Sequence, residues 1–251
     1  RRIFCGEWLC SRAGRLQNRR MSEHEYIWQA SDWPQWRYDL AALAPALVRV
    51  SHAQGVLLGR LADVGAATRD QATLVALSAD VVKSSEIEGE RLDMNTVRSS
   101  LARRLGVDIG ALAPVDRHVE GVVDMVLDAT QRCDMPLTRE RLWGWHAALF
   151  PTGHSGLARI RVATWRDDTD GPMQVVSGPL GRQKVHFEAP PASRLETEIA
   201  ALLAWVEDDA VTPPLLKAGI GHLWFVTLHP FDDGNGRIAR ALGDLLLARA
   251  D

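Results

Sequence analysis

Twelve residues near the end of the sequence combine side chains and backbone features that suit phosphate chemistry. The stretch reads HPFDDGNGRIAR and runs from His229 to Arg240. A helix is predicted to end at His229 because Pro230 blocks its continuation, and a new helix is predicted to start at about Arg237. The Gly-Asn-Gly loop before that helix presents free backbone N–H groups and the positive end of the helix dipole. The stretch therefore predicts an anion-binding site.

The side chains around this loop indicate which anion and which reaction. Arg237 and Arg240 lie three positions apart, so both project from one side of the new helix, which suits a polyphosphate. Asn235 can add a side-chain donor, and Asp233 offers a hard oxygen ligand for Mg²⁺. His229 is the only nearby side chain that takes up a proton near neutral pH. Together these groups predict transfer of a phosphate ester to a hydroxyl.

The stretch resembles the signature of Fic-domain proteins, HxFx(D/E)GNGRxxR, at every defined position. The alternative is a plain helix–loop–helix corner with Gly234 and Gly236 as turn residues, which leaves the combined set of side chains without a reason. Fic proteins are α-helical, and most studied members transfer AMP from ATP to a Ser, Thr or Tyr hydroxyl of a protein. The resemblance therefore implies an all-α, Fic-type helical bundle that uses ATP and Mg²⁺.

The resemblance also implies a role for each signature residue. His229 would be the general base that acts on the target hydroxyl, and Asp233 would hold Mg²⁺. The phosphates of ATP would be bound by the remaining positions: the α- and β-phosphates by Gly234, Asn235 and Gly236, the β-phosphate also by Arg237, and the γ-phosphate by Arg240.

A second motif lies about 140 residues upstream. Residues 84–89, SSEIEG, resemble the inhibitory helix motif of the family, (S/T)xxxE(G/N). Ser84 and Glu88 lie one helical turn apart on one face, and Gly89 follows. In the family this glutamate pairs with the second arginine of the signature, so the resemblance implies a pair of Glu88 with Arg240 and a class with an N-terminal inhibitory helix. The alternative is an ordinary glutamate before a glycine helix stop.

Residues 172–188 have a different pattern from the rest of the chain. Two short β-prone segments flank a Ser-Gly-Pro-Leu-Gly turn, which predicts a β-hairpin. In Fic proteins a hairpin flap beside the active site docks the target main chain by strand addition. The docking edge would consist of Met173, Gln174, Val175, Val176, Ser177 and Gly178. A purely structural hairpin is the alternative.

Most of the remaining sequence has helical periodicity. Apolar residues recur every three to four positions in six segments, residues 39–66, 70–86, 115–131, 138–149, 194–206 and 214–228. The last segment is apolar on nearly every side, which predicts a helix buried inside a bundle. His222 in this segment and His146 in the fourth are interpreted as structural histidines, and the tryptophans of YIWQASDWPQW at residues 26–36 as packing residues.

Composition excludes several classes of protein. The chain has 251 residues, of which 46% are hydrophobic and 24% charged, with a formal net charge of −3. This is the mixture of a globular protein, and no uninterrupted apolar run reaches the ~18 residues of a membrane helix, so no membrane partner is expected. Three cysteines without a CxxC pair argue against a disulfide or zinc framework and favour the cytoplasm.

The expected organisation has three parts. Residues 1–20 contain six arginines and one glutamate and are interpreted as a non-native or disordered leader ahead of Met21. Residues 21–110 would form a helical region with the inhibitory helix, opening with a Trp-rich extension like that of one bacterial Fic subgroup. Residues 111–251 would form the catalytic domain. Because helical register continues to Asp251, a truncated C-terminus is expected, and DNA would be contacted only through a missing module.

Alternatives to AMP transfer remain open at this stage. UMP or phosphocholine transfer, or removal of AMP with Glu88 positioning a water, would use the same residues. Kinases of the superfamily replace the second glycine of the loop, and Gly236 argues against that chemistry. A non-catalytic module that senses nucleotide is disfavoured by His229, because binding alone needs no base. The target protein is unknown, and automodification and a homodimer are left open.

Overall fold

The computed structural model describes residues 26–114, 117–179, 182–208 and 212–250, together with the backbone of residues 2–4. Within these residues the chain is mainly helical. The helices are α1 (Leu40–Ala62), α2 (Ala66–Ile87), α3 (Met94–Leu105), α4 (Arg117–Gln131), α5 (Arg139–Leu149), α6 (Leu195–Glu207), α7 (Pro214–Leu228) and α8 (Asn235–Ala248). The short strands are β1 (Arg2–Phe4), β2 (His154–Ser155), β3 (Ala158–Arg159), β4 (Gln174–Ser177) and β5 (Lys184–Glu188). The expected all-α class with a β-hairpin is confirmed.

One hydrophobic core joins helices α2 to α8. Each contributes fully buried apolar side chains, among them Leu74, Val97, Val123, Leu142, Leu202, Phe225 and Leu242. Helix α7 packs on the core with Trp224, Phe225 and Leu228, but Leu215 and Leu223 are 40% and 48% exposed. The expectation that this helix is buried on nearly every side is therefore wrong, because one side of it is open to solvent. Trp33 and Trp36 from the segment before α1 pack on Trp224 with ring centroids 5.9 and 5.8 Å away. The core therefore fixes α7 and α8, which bracket the signature loop.

Helices α4 and α5 approach each other more closely than any side chain would allow. A Cβ atom built on Gly121 of α4 would lie 1.8 Å from the backbone oxygen of Ala148 in α5. Gly121→Ala is therefore expected to lower the free energy of unfolding by about 2–3 kcal/mol, because the two helices must separate. Gly144→Ala is the matched control, since Gly144 of α5 has open space around it and alanine favours a helix by roughly 0.5–1 kcal/mol. Urea unfolding of both variants measures the difference, and equal stabilities would contradict this packing.

Three features differ from the sequence prediction. Helix α3 was missed because its apolar residues form a narrow stripe at Val97, Leu101 and Leu105, although Asp93 caps its start and Gly106 (φ +68°) its end. Helix α8 begins two residues before the predicted start at Arg237 and ends at Ala248, so the expectation that the helix runs through Asp251 is wrong. Residues 2–4 of the presumed leader form strand β1.

Helix α1 differs from the others because none of its residues is buried. Its large apolar side chains face outward; Val48, Leu57 and Leu58 are each more than half exposed. The helix has 23 residues, and an 18-residue window within it has a mean hydropathy of 1.3, enough by length and composition to cross a membrane. A single helix of this kind is only a weak indication, so the expectation of no membrane partner stays a prediction.

Candidate active site

The signature loop lies where α7 ends and α8 begins. His229 terminates α7 in the left-handed conformation (φ +46°), and Gly234 precedes α8 with φ +78°. Gly234 is also required sterically, because a Cβ there would lie 2.8 Å from the ring of Phe150. The first backbone bond of α8 runs from the N–H of Ile238 to the carbonyl of Gly234. The N–H groups of the preceding first turn therefore lie ahead of the helical ladder and are suited to an anion.

Asn235 closes the loop rather than extending a donor into it. Its side-chain oxygen accepts from the N–H of Phe231 at 2.9 Å, and its amide nitrogen donates to the carbonyl of Phe231, also at 2.9 Å. The side chain is 2% exposed. The expectation that Asn235 adds a side-chain donor to the anion site is therefore corrected: both polar atoms of its side chain bond to the backbone of Phe231 and shape the loop.

His229 is held in one tautomer. Its Nδ1 hydrogen bonds to the backbone carbonyl of Val226, and since a carbonyl can only accept, Nδ1 carries the proton. Burial lowers the pKa of His229 below its ordinary value, and this effect outweighs the opposing bond to Val226. The ring is therefore neutral around pH 7, and Nε2 keeps the lone pair that a general base needs.

Arg166 holds the backbone at His229. Its side chain is fully buried, Nε donates to the carbonyl of His229 at 2.7 Å, and NH2 donates to the carbonyl of Pro190 at 2.6 Å. Asp168 supplies its counter-charge, 2.7 Å away. Arg166 thus ties the end of α7 to the segment that follows the hairpin. Sequence reasoning missed it, because one arginine in a loop has no distinctive spacing.

Asp233 is the loop's candidate metal ligand. One carboxylate oxygen accepts from the N–H of Gly234 at 2.6 Å, and the other accepts from the hydroxyl of Ser155. Lone pairs remain on both oxygens for a cation. The described residues contain no group of three or more His, Cys, Asp or Glu side chains that could hold a metal alone. Asp233 therefore suits Mg²⁺, which is commonly held by one or two carboxylates plus phosphate oxygens and waters.

His146 contacts the same loop through Phe231 and Asp233. Its ring stacks on Phe231 with a centroid distance of 4.1 Å, and its Nε2 donates to the backbone carbonyl of Asp233 at 3.2 Å. The N–H of Ala163 is bonded to Nδ1, which fixes this tautomer. Burial lowers the pKa of His146 to about 4, against the opposing pull of Asp233. His146 is therefore neutral and structural, and it lies directly beneath the loop.

The end of α2 reaches the second signature arginine. Arg240 donates from NH2 to Glu88 at 2.7 Å and to the carbonyl of Ser84 at 3.0 Å. Its Nε donates to the Ser84 hydroxyl at 2.6 Å. A Cβ on Gly236 would lie 2.1 Å from the Glu88 carboxylate, so that carboxylate rests directly on the first turn of α8. Ser84, Glu88 and Arg240 are thus brought together as the sequence motif implies.

Gly89 turns the chain at the end of α2. Its φ is +81°, and the N–H of Glu90 bonds back to the carbonyl of Ser85 at 3.0 Å. This is the pattern of a glycine-terminated helix, which any residue with a Cβ would strain. The turn sends Glu88 and Glu90 to different signature arginines.

The first signature arginine contacts Glu90. Arg237 is 2% exposed, its NH1 donates to Glu90 at 2.6 Å, and its guanidinium lies 5.1 Å from the ring centre of Phe150. Glu90 also bonds to Nε2 of His118 at 3.0 Å. Burial alone would raise the pKa of Glu90, but the bond to His118 and the charge of Arg237 outweigh it, and the pKa lies below its usual value. The sequence analysis identified neither Glu90 nor His118, although an acidic residue directly after Gly89 was a usable signal.

The predicted hairpin forms, but its docking edge is covered. Strands β4 and β5 pair antiparallel, while β1 pairs parallel with β4, with Arg2 opposite Gln174 and Phe4 opposite Val176. Met173 and Val176 are buried, and Gly178 has φ +95° at the turn. The expectation that residues 173–178 form a free edge is corrected: a target strand could join β4 only after β1 leaves.

Comparison with known families divides the chain into two matched regions. Residues 136–247 match the Fic/DOC family, and residues 26–107 match a domain of unknown function, DUF4172. The first match contains α5 to α7, the hairpin and all but the end of α8. This part of the chain is therefore a Fic/DOC domain.

Curated relatives match over shorter segments. A protein adenylyltransferase Fic of Nematostella vectensis is 41% identical over 69 residues, 26% of this chain and 16% of that protein. The protein adenylyltransferase fic-1 of Caenorhabditis briggsae is 38% identical over 55 residues, 21% of this chain and 11% of that protein. The chain thus spans a small part of the length of these relatives.

Solved structures share the fold over most of the chain. A Fic family protein from Desulfovibrio desulfuricans has a TM-score of 0.53 at 21% identity, covering 87% of this chain and 60% of that one. Fic-1 of Caenorhabditis elegans has a TM-score of 0.55 at 18% identity, covering 84% of this chain and 59% of that one. These likenesses show the Fic fold.

Proposed function

We propose that this Fic/DOC domain transfers AMP from ATP to a Ser, Thr or Tyr hydroxyl of a protein, and that Glu88 holds it in an inhibited state. The observation that carries the proposal is the neutral His229 with Nδ1 bound to Val226, which leaves Nε2 as a free base beside an anion loop. The names of the partial relatives, protein adenylyltransferases, support the same reaction class. The site lies in the matched Fic/DOC region.

The residues fit a nucleotide polyphosphate by their own chemistry. The Glu88 carboxylate lies against Gly236 and Arg240 at the first turn of α8. This position therefore already accepts a negatively charged group, as it would in binding a phosphate. The Nε of Arg237 is buried without a hydrogen-bond partner among the described residues. Leaving a guanidinium N–H buried without a partner destabilises the fold by about 1–3 kcal/mol. Such a donor is expected where a bound ligand supplies the missing hydrogen-bond acceptor.

The proposed reaction is a displacement at the α-phosphorus of ATP, with pyrophosphate as the leaving group. When bound, ATP supplies an electrophilic α-phosphorus, and Mg²⁺ would be held by Asp233. His229 Nε2 removes the proton from the target hydroxyl, whose oxygen forms a bond to the α-phosphorus. The bond from that phosphorus to the α,β-bridging oxygen breaks, and pyrophosphate leaves. The N–H groups of the first turn of α8 and the two arginines stabilise the negative charge as it shifts.

The contacts of Arg240 support the proposed inhibition by Glu88. Ser84 and Glu88 accept three hydrogen bonds from this guanidinium. The Glu88 carboxylate also lies against Gly236, at the position proposed for a phosphate. A γ-phosphate that needs Arg240 must displace these bonds. The inhibited state thus competes with ATP for one arginine and one loop.

The donor can be tested by intact-mass measurement of the full chain and a panel of candidate target proteins. Incubation with ATP, UTP or CDP-choline, one at a time with Mg²⁺, is expected to add AMP from ATP alone. Addition of UMP or phosphocholine would contradict the AMP assignment while keeping the transferase class. Loss of AMP from a pre-modified target, with no addition, would favour removal of AMP instead.

Asp233→Ala is expected to abolish the Mg²⁺ dependence of nucleotide binding together with transfer, because the described residues hold no cluster of three or more His, Cys, Asp or Glu side chains that could bind the ion in its place. Ser155→Ala is the matched control, since it removes only the hydroxyl that Asp233 accepts from and keeps the carboxylate. Calorimetry of ATP binding with and without Mg²⁺ compares the two variants. An unchanged Mg²⁺ effect in Asp233→Ala would remove Asp233 as the metal ligand.

A further inference from the structure

Glu88 and Glu90 are two residues apart, yet they face the two signature arginines in different ways. Arg240 gives three hydrogen bonds to Ser84 and Glu88, whereas Arg237 gives one to Glu90 from NH1 and keeps a buried Nε without a partner among the described residues. Arg240 is thus engaged by the end of α2 through both Nε and NH2. Arg237 is anchored by Glu90 at NH1, and its buried Nε has no hydrogen-bond partner among the described residues.

The two glutamates also have different surroundings. The Glu88 carboxylate rests on Gly236 inside the anion loop. Glu90 instead lines a cavity of about 470 Å³ with His118, Phe150 and Ser155, and neither Glu88 nor Gly236 is among the described residues that line it. Glu88 thus lies against the first turn of α8, whereas Glu90 contacts Arg237 from this cavity.

We infer that Glu90, held by His118, is a positioning residue for Arg237 in nucleotide binding, with an effect opposite in sign to that of Glu88. Arg237 is a buried cation that needs a counter-charge, and Glu90 supplies it at NH1. His118 holds the Glu90 carboxylate by a hydrogen bond, and the ring of Phe150 lies against the guanidinium. A side chain fixed in this way presents its remaining donors to a β-phosphate without first losing rotamer freedom.

The inference rests on the proposed function, since it assigns Arg237 to the β-phosphate, but binding tests it without requiring any transfer. Calorimetry of ADP and AMP binding is made in the Glu88→Gly chain and in Glu88→Gly/Glu90→Gln. The added Glu90→Gln change is expected to weaken ADP binding about tenfold, equivalent to ~1.4 kcal/mol for a charged hydrogen-bond network, and to leave AMP binding unchanged. Glu90→Asp is expected to restore part of the ADP affinity.

A second variant keeps the test independent of the folding of Glu90→Gln. His118→Gln in the same background removes the other partner of Glu90 and is expected to weaken ADP binding in the same direction, by less. Tighter ADP binding in Glu90→Gln would overturn the inference and make Glu90 a second blocking residue. Equal weakening of ADP and AMP would also overturn it, because it would indicate a general structural role. Failure of all transfer with the expected ADP effect would count only against the proposed function.

Discussion

His229→Ala is expected to lower the rate of AMP transfer by about 10²–10⁴-fold while nucleotide binding stays close to that of the parent chain. The reason is the tautomer: Nδ1 donates to the carbonyl of Val226, so Nε2 is the atom that can accept the proton of the target hydroxyl. Alanine removes that base and leaves the loop residues from Phe231 to Gly234 in place. Single-turnover labelling measures the chemical step, and calorimetry measures binding.

A histidine elsewhere on the same helix is the control. His222 lies two turns before His229 on α7 and is half-buried, so His222→Ala is expected to keep the transfer rate while testing for general destabilisation. Near-parental labelling by His229→Ala would remove His229 from the mechanism.

The pH profile of the parent chain gives a second test of His229. Burial holds the pKa of His229 below its ordinary value of 6.5, so more than half of the rings are neutral at pH 6.5. The rate of transfer is therefore expected to fall with a midpoint below pH 6.5 as the pH is lowered. A fall in rate centred at or above pH 6.5 would contradict a buried neutral base.

Glu88→Gly is expected to raise labelling by roughly ten- to a hundred-fold. The blocked state needs to be favoured by only ~1.4–2.8 kcal/mol for its removal to have this effect by population shift. The contacts support the sign, since Glu88 bonds to Arg240 at 2.7 Å and its carboxylate lies against Gly236. Removing the carboxylate frees both the arginine and the first turn of α8.

Glu86→Gly is the matched control for this gain. Glu86 lies in the same last turn of α2 but pairs with Lys83 at the surface, 2.6 Å away, so glycine there carries a similar helix penalty without touching Arg240. Labelling rate, ATP affinity and melting temperature are compared for both variants. If Glu88→Gly is less stable and labels no faster, with ATP affinity unchanged, Glu88 is only a fold contact.

Much of the site could be predicted because its residues lie in two short, contiguous stretches. Helix breaks at Pro230 and the glycines of residues 234–236 mark the loop, and the spacing of Ser84 and Glu88 marks the inhibitory face. The pairing of Glu88 with Arg240 was implied by the resemblance, and the structure brings these two residues together. Local patterns of this kind are predictive because backbone geometry alone determines which side chains lie on the same face of a helix.

The groups that support the site could not be predicted, because long-range packing brings them in. Arg166, Ser155 and His118 come from a loop, strand β2 and helix α4, and they lie 63 to 119 positions from the loop residues or arginine they help hold. Asn235 was misassigned for a related reason. Its amide could bind a ligand or close its own loop, and only the fold shows the second.

In the proposed reaction the chain moves the α-phosphate of ATP with its adenosine onto a protein hydroxyl. The most direct measurement of this transfer incubates the full Glu88→Gly chain and candidate target proteins with Mg²⁺ and ATP labelled at either the α- or the γ-phosphate. We expect protein-bound label from α-labelled ATP only, and we expect that label to be lost when His229→Ala is added. Label from γ-labelled ATP, or no protein label from α-labelled ATP while the nucleotide still binds, would contradict the proposed reaction.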